Sequence, residues 1–177
     1  MKQVVLCVIA ALALASCVNL PPVNRAGPAP LAAVAHVDLD RYGGLWHEAA
    51  RLPNGFERDC VAATATYTNR ADGLVGVRND CVKADGKVTS VEGRAKIADT
   101  RSNARLKVSF FGPFFVGDYW IVDLASDYQW AIVGEPRGRY LWILTRDAAI
   151  TPALKAELIG RVRALGYNAE ALFWNPG

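Results

Sequence analysis

The stretch RYGGLWHEAAR (residues 41–51) comes within one residue of a metal-peptidase helix. The zinc motif H-E-x-x-H places two histidines one helical turn apart, with the glutamate between them as general base. His47 and Glu48 fit, but Arg51 stands at the second ligand position, a permanent cation that cannot ligate. The chain has only two histidines, and His36 precedes a different segment. Gly43-Gly44 before the stretch and Pro53 after it also disfavour a helix. The stretch reads as a short strand that binds no metal, His47 and Glu48 read as ordinary strand residues, and Trp46 becomes the residue to explain. Hydrolytic chemistry has no better support. A nucleophile needs a histidine and an orienting acid beside it, yet there is no G-x-S-x-G and both histidines lie in the N-terminal part of the chain. No catalytic residue and no cofactor are assigned.

With 177 residues and 52% hydrophobic composition, the chain is sized for one domain plus an apolar leader. Met1-Lys2-Gln3 is a minimal basic start, VVLCVIAALAL an apolar run too short to span a bilayer comfortably, and LASC closes it. Residues 1–16 therefore read as a signal peptide. L-A-S-C resembles the lipobox of bacterial lipoproteins, which implies that Cys17 is acylated as the mature N-terminus. Val18 follows it instead of the aspartate of inner-membrane retention, so the same resemblance implies the periplasmic face of the outer membrane. Residues 17–36 carry four prolines, Pro21, Pro22, Pro28 and Pro30, without helical or strand period, and are expected to form a flexible tether to a folded body at 37–177. The net charge of +3, with scattered basic residues, does not provide the clustered basic face of a nucleic-acid binder.

Cys60 and Cys81 remain for an oxidising compartment, where such a pair normally bridges. They flank the turn signal Asn69-Arg70-Ala71-Asp72-Gly73 at nearly equal distances. A hairpin folded there makes them facing or near-facing neighbours.

The body alternates strand runs with turn residues. The runs fall at 44–52, 60–68, 74–82, 88–97, 104–110, 117–124, 129–134 and 139–146. Short strands at regular spacing predict an all-β sandwich or an up-and-down barrel. One helix is legible. Thr151-Pro152 opens it, Leu154, Leu158, Ile159, Val162 and Leu165 recur at helical spacing, and Gly166 stops it. An apolar run, ALFW (171–174), follows. Eight meandering strands and one amphipathic helix fit a closed antiparallel barrel with the helix packed outside. A barrel of that size is either filled by side chains or holds one small ligand, and the small residues Ala63, Ala65, Gly76 and Ala131 lean toward a cup.

Gly44-Leu45-Trp46, Ser126-Asp127-Tyr128 and Arg146 resemble the three signature regions of the lipocalins, with Ser126 in place of the usual threonine. RYGGLWHEAARLPNGFER, LKVSFFGPF and YLWILTR are similar to stretches of the bacterial outer-membrane lipoprotein branch related to apolipoprotein D. The resemblance runs from about Asp38 to the C-terminus. It implies a binding protein that carries a fatty acid or lysophospholipid, with Tyr67, Asn79 and Trp142 as ligand contacts by motif position.

In such a meander the first strand starts, and the eighth ends, at the same closed end. Trp46 and Arg146 therefore meet there as a cation–π plug, beside the loop of Asp127 and Tyr128. Strand alternation from Arg146 puts Leu144, Trp142 and Tyr140 on the inner face, and Phe110 and Tyr119 join the candidate ligand set from the strands flanking FFGPFF (110–115). Loops 53–59, 83–87, 111–116 and 135–138 fall at the open end, the first of them resembling a mobile lid. The phenylalanines of FFGPFF either fold over the rim as core or touch a membrane, a second subunit or the ligand. Two other functional readings stay open: an enzyme using a cup residue in the manner of isomerase or synthase lipocalins, and a dimerising structural lipoprotein with an incidental cup.

Overall fold

A computed structural model describes residues 20–27 and 29–176. The signal segment and Cys17 lie outside the described residues. A four-residue helix, α1 (Leu39–Tyr42), is capped by the Asp38 carboxylate, which accepts from the N–H groups of Asp40 and Arg41. It leads into β1 (Gly44–Arg51), β2 (Cys60–Asn69), β3 (Val75–Lys83), β4 (Val88–Ile97), β5 (Arg105–Ser109), β6 (Gly117–Leu124), β7 (Trp130–Gly134) and β8 (Leu141–Thr145). Then follow α2 (Pro152–Ala164), a 3-10 turn at Ala169–Ala171, and the two-residue β9 (Phe173–Trp174). Each of the eight main strands pairs antiparallel with its sequence neighbour, and β1 closes the ring by pairing with both β2 and β8. The barrel with its outer helix is the architecture read from the strand spacing. Sequence reading found neither α1 nor the 3-10 turn.

Closure is asymmetric. Gly44–His47 pair with β2, but higher up β2 has diverged and Ala50–Arg51 pair with β9 instead. The register of β1 against β8 shifts between Glu48 and Ala50. Such a bulge re-aims side chains by one position. Trp46 and Glu48 face inward before it, Ala49 and Ala50 pack outward under α2, and the Arg51 side chain reaches back to the Glu48 carboxylate.

The apolar residues form two clusters. One lies between the barrel wall and α2, where Trp130, Ile132, Leu141 and Ile143 meet Leu158 and Val162. This outer cover explains why all of β7 is buried on both faces. Thr151 caps α2, its hydroxyl accepting from the Leu154 N–H at 3.1 Å, with Pro152 in the first turn. The other cluster fills the lower half of the barrel with Val37, Trp46, Val77, Leu106, Ile121 and Leu144.

The stretch expected as a free tether is held against the barrel from Asn24 onward. The Asn24 N–H donates to the Gly138 carbonyl at 2.8 Å, the Ala26 N–H to Gly166 at 2.9 Å, Val34 to Ile121 at 2.9 Å and Val37 to Ser102 at 2.7 Å. Gly166, at φ +84°, could not carry a Cβ without meeting the Ala26 carbonyl oxygen at 2.6 Å. Leu31 and Val37 are buried. Proline-rich composition removes local secondary structure, but it does not prevent a chain from finding backbone partners on a neighbouring surface.

Candidate functional site

The barrel is plugged at one end and hollow at the other. At the closed end Trp46 is fully buried, and its indole N–H donates to the Tyr42 carbonyl at 2.7 Å. The Arg146 guanidinium stacks 3.8 Å from the Trp46 ring and donates to the carbonyls of Arg41, Gly43 and Leu45 at 2.7, 2.9 and 2.6 Å. Gly44 sits at φ +87° directly beneath that guanidinium, where a side chain would be strained. The Tyr128 ring carries Arg41 at 4.0 Å, and its hydroxyl accepts from the Asp38 N–H at 2.9 Å. Asp127 shapes the same loop by accepting from the Gln129 N–H at 3.1 Å. All five signature residues, Gly44, Trp46, Asp127, Tyr128 and Arg146, thus lie at this end.

Above the plug is a cavity of about 800 Å³ that opens between the loops of the opposite end. Tyr67, Asn79, Phe110, Tyr119, Tyr140 and Trp142, dispersed over five strands or their ends, all line it. Ala63 and Ala65 line it too, and their small side chains leave the space open; Gly76 does not. Neither histidine faces it.

The floor is a chain of phenols. Tyr119 donates to the Tyr67 oxygen at 2.8 Å, and the Tyr42 and Tyr119 hydroxyls lie 2.7 Å apart. Since Tyr119 spends its one proton on Tyr67, Tyr42 donates to Tyr119, and the Tyr67 proton has no acceptor among the described residues. Burial raises the pKa of all three phenols, so they stay neutral donors. Asn79 adds a buried Oδ1 with no hydrogen-bond partner among the described residues. An apolar chamber with a few unsatisfied polar atoms is the usual form of a small-molecule site.

Sequence reading missed the charged cluster on the upper wall. Arg51, buried, donates to the Glu48 carboxylate at 2.7 Å, to the Glu57 carbonyl at 2.7 Å, to the Cys60 carbonyl at 2.9 Å and to Asn175 Oδ1 at 3.1 Å. The Glu57 carboxylate accepts from the Trp142 indole N–H at 3.0 Å and from Asn54 Nδ2 at 2.5 Å. Two carboxylates share one guanidinium, and both line the cavity. Burial, reinforced by the Glu57 charge and opposed by Arg51, pushes the Glu48 pKa up to about 7. The near-zinc pattern is therefore the buried ion pair Glu48-x-x-Arg51, made possible by a bulge that strand alternation does not foretell. The same bonds hold the loop 53–59, expected as a mobile lid, in one place. Asn54 is buried within it, and Phe56 stacks on Tyr140 at 5.6 Å.

Cys60 and Cys81 form a disulfide with Cα atoms 5.3 Å apart. They are diagonal rather than facing, since Cys81 opposes Ala63 and Cys60 opposes Lys83. The FFGPFF stretch divides. Phe110 lines the cavity, Phe111 lies at its mouth and is largely exposed, Phe115 lies under Lys96 at 5.2 Å, and Phe114 is exposed.

Residues 37–177 match the model of the lipocalin-like domain family. The chain is a lipocalin. It is 36% identical over 177 residues to "Outer membrane lipoprotein Blc" of Citrobacter freundii, covering 98% of this chain and 97% of that one. To the protein of the same name from Escherichia coli K12 it is 37% identical over 153 residues, covering 85% and 86%. Apolipoprotein D of Macaca fascicularis is 33% identical over 119 residues, covering 62% of this lipocalin and 61% of its own length. In fold, the lipocalin superposes on insecticyanin from the tobacco hornworm Manduca sexta with a TM-score of 0.67 at 23% identity, covering 85% of each chain.

Proposed function

We propose that this lipocalin is a membrane-anchored lipid-binding protein. It loses residues 1–16, is acylated at Cys17, and holds one fatty acid or lysophospholipid in the cup at the periplasmic face of the outer membrane, for storage or transport. The observation that carries the reading is the cavity itself. Its volume of about 800 Å³ lies within the range of roughly 300–1,000 Å³ common for small-ligand sites. Relatives named as outer membrane lipoproteins, aligned over 98%, 85% and 83% of this chain, support the location. Tyr67, Asn79, Phe110, Tyr119, Tyr140 and Trp142 are the contacts. The chain of an amphiphile lies along the aromatic wall, and the Tyr67 hydroxyl and Asn79 Oδ1 supply a donor and an acceptor.

The test is a titration of the unlipidated mature protein with lysophospholipids and fatty acids, followed through Trp142 fluorescence with Trp142→Phe as the control. Saturable binding that weakens roughly three- to tenfold in Tyr67→Phe or Asn79→Leu, as loss of one hydrogen bond implies, supports the cup as the site. Binding that is absent, or indifferent to both substitutions, refutes it.

A further inference from the structure

The N-terminal stretch joins the fold at the open end of the barrel. Arg139 donates to the Pro21 carbonyl, and Asn24 to Gly138, which fixes the start of the described chain beside the β7–β8 loop. From there the stretch descends the outside of the barrel to Val37 and Asp38 at the closed end, where the Asp38 N–H meets Tyr128. Cys17 precedes Pro21 by four residues, a reach of at most about 14 Å. The eight residues of β1 rise roughly 26 Å. A lipid on Cys17 therefore holds the mouth of the barrel, and not its plugged floor, toward the bilayer.

The strand order puts the β7–β8 loop between the β5–β6 loop and the β1–β2 loop. These two neighbours carry the largest exposed apolar side chains: Phe111 (84% exposed), Phe114 (72%) and Val116 (79%) on one, and Phe56 (67%) on the other. Leu20 and Val23, at the point where the chain arrives, are exposed as well. Apolar groups concentrated on one rim mark an interaction surface, whereas single exposed residues do not. Charge gives the rim little direction, because the exposed Arg58, Lys87 and Arg137 stand among Asp59 and Asp85.

We propose that the open rim is a bilayer-docking surface. Phe56, Phe111, Phe114 and Val116 insert at the headgroup boundary of the membrane that holds the anchor, so that the cup opens onto lipid. This rests on the lipid-anchored reading above and adds the surface and the orientation. A second copy of the chain on the same rim is the competing occupant. The short leash favours the membrane, since it keeps the mouth within about 14 Å of the anchor.

Two measurements test it. The mature chain with Cys17→Ser, which has no anchor, is floated with phosphatidylcholine vesicles. It should co-float, lose at least about tenfold in partitioning on Phe111→Ser/Phe114→Ser, keep it on Leu45→Ser at the closed end, and respond little to salt. In the lipid-anchored chain reconstituted in the same vesicles, a polarity-sensitive dye on Phe114→Cys should shift to the blue, while the dye on Leu45→Cys should not. No flotation, equal flotation of the double variant, or an unshifted dye at position 114 overturns the proposal. So does a dimer that the rim substitutions convert to monomer. Ligand titration of the same variants separates the two ideas: retained lipid binding without docking leaves the cup standing, whereas loss of ligand binding in the unsubstituted chain removes the cup reading itself.

Discussion

Each end of the barrel pairs a tryptophan with an arginine. At the closed end Arg146 lies flat on Trp46 and spends its donors on the backbone carbonyls of Arg41, Gly43 and Leu45. Every partner there is fixed and uncharged, so the pair works as a rivet between the first and last strands of the ring. At the open end Arg51 divides itself between the carboxylates of Glu48 and Glu57, and Trp142 donates to Glu57 while its ring faces the cavity. Besides the Glu57 and Cys60 carbonyls and Asn175, two of its partners are ionisable, and one of these belongs to a loop over the mouth. The same residue types give stability at one end and a site with adjustable charge at the other, and the difference lies in what the guanidinium is bonded to.

The comparison of the two arginines breaks if emptying the closed-end plug costs little. Trp46→Ala should lower the unfolding free energy by about 3–5 kcal/mol, the usual cost of emptying a buried aromatic site, measured by urea denaturation. Removing the disulfide by Cys60→Ser/Cys81→Ser opens a loop of 21 residues and should cost about 3 kcal/mol, read as a lower denaturation midpoint that a reductant reproduces in the parent. Arg146→Lys keeps the charge but loses the planar fork, and should cost about 1–2 kcal/mol.

The open end is distinguished by its response to pH. Burial holds the folded pKa of Glu48 at about 7, above the ordinary carboxyl value of 4.5. Between those values the folded state binds more protons than the unfolded one. The contribution of Glu48 is therefore fully present below about pH 4.5 and is lost as pH rises through about 7, at no more than about 1.4 kcal/mol per pH unit. Urea midpoints of the parent should fall relative to Glu48→Gln across that window and run parallel above it; parallel curves throughout would place the carboxylate in an ordinary setting. The smallest effect belongs to the rim. Phe114→Ser should change stability by less than about 0.5 kcal/mol, because the side chain is 72% exposed.

Much of this was legible because it follows from period and punctuation. Alternating runs bounded by Asp72-Gly73, Gly112-Pro113 and Gly138 define the strands, and Thr151-Pro152 with Gly166 bounds the helix. The convergence of Trp46 and Arg146 follows from connectivity alone, since neighbours in a closed meander share an end. What period cannot reveal is a change of period. The bulge between Glu48 and Ala50 carries no glycine, so alternation counted through it from Trp46 would put Ala50 inside the barrel, whereas it packs in the outer cluster under α2. The stretch 24–37 is silent for another reason: its partners, Gly138, Gly166, Ile121 and Ser102, are backbone groups more than sixty residues away in sequence. Composition describes a segment's local preferences, and long-range backbone pairing overrides them.

The central claim is that the hollow half of the barrel holds a single-chain lipid. Native mass spectrometry of the protein purified from the periplasm, beside Ala63→Trp, which fills the chamber from its own wall, tests it most directly. The account predicts an adduct with the mass of one fatty acid or lysophospholipid on the parent and none on the filled variant. An adduct that survives in Ala63→Trp, or a parent that neither carries nor takes up lipid, would contradict it.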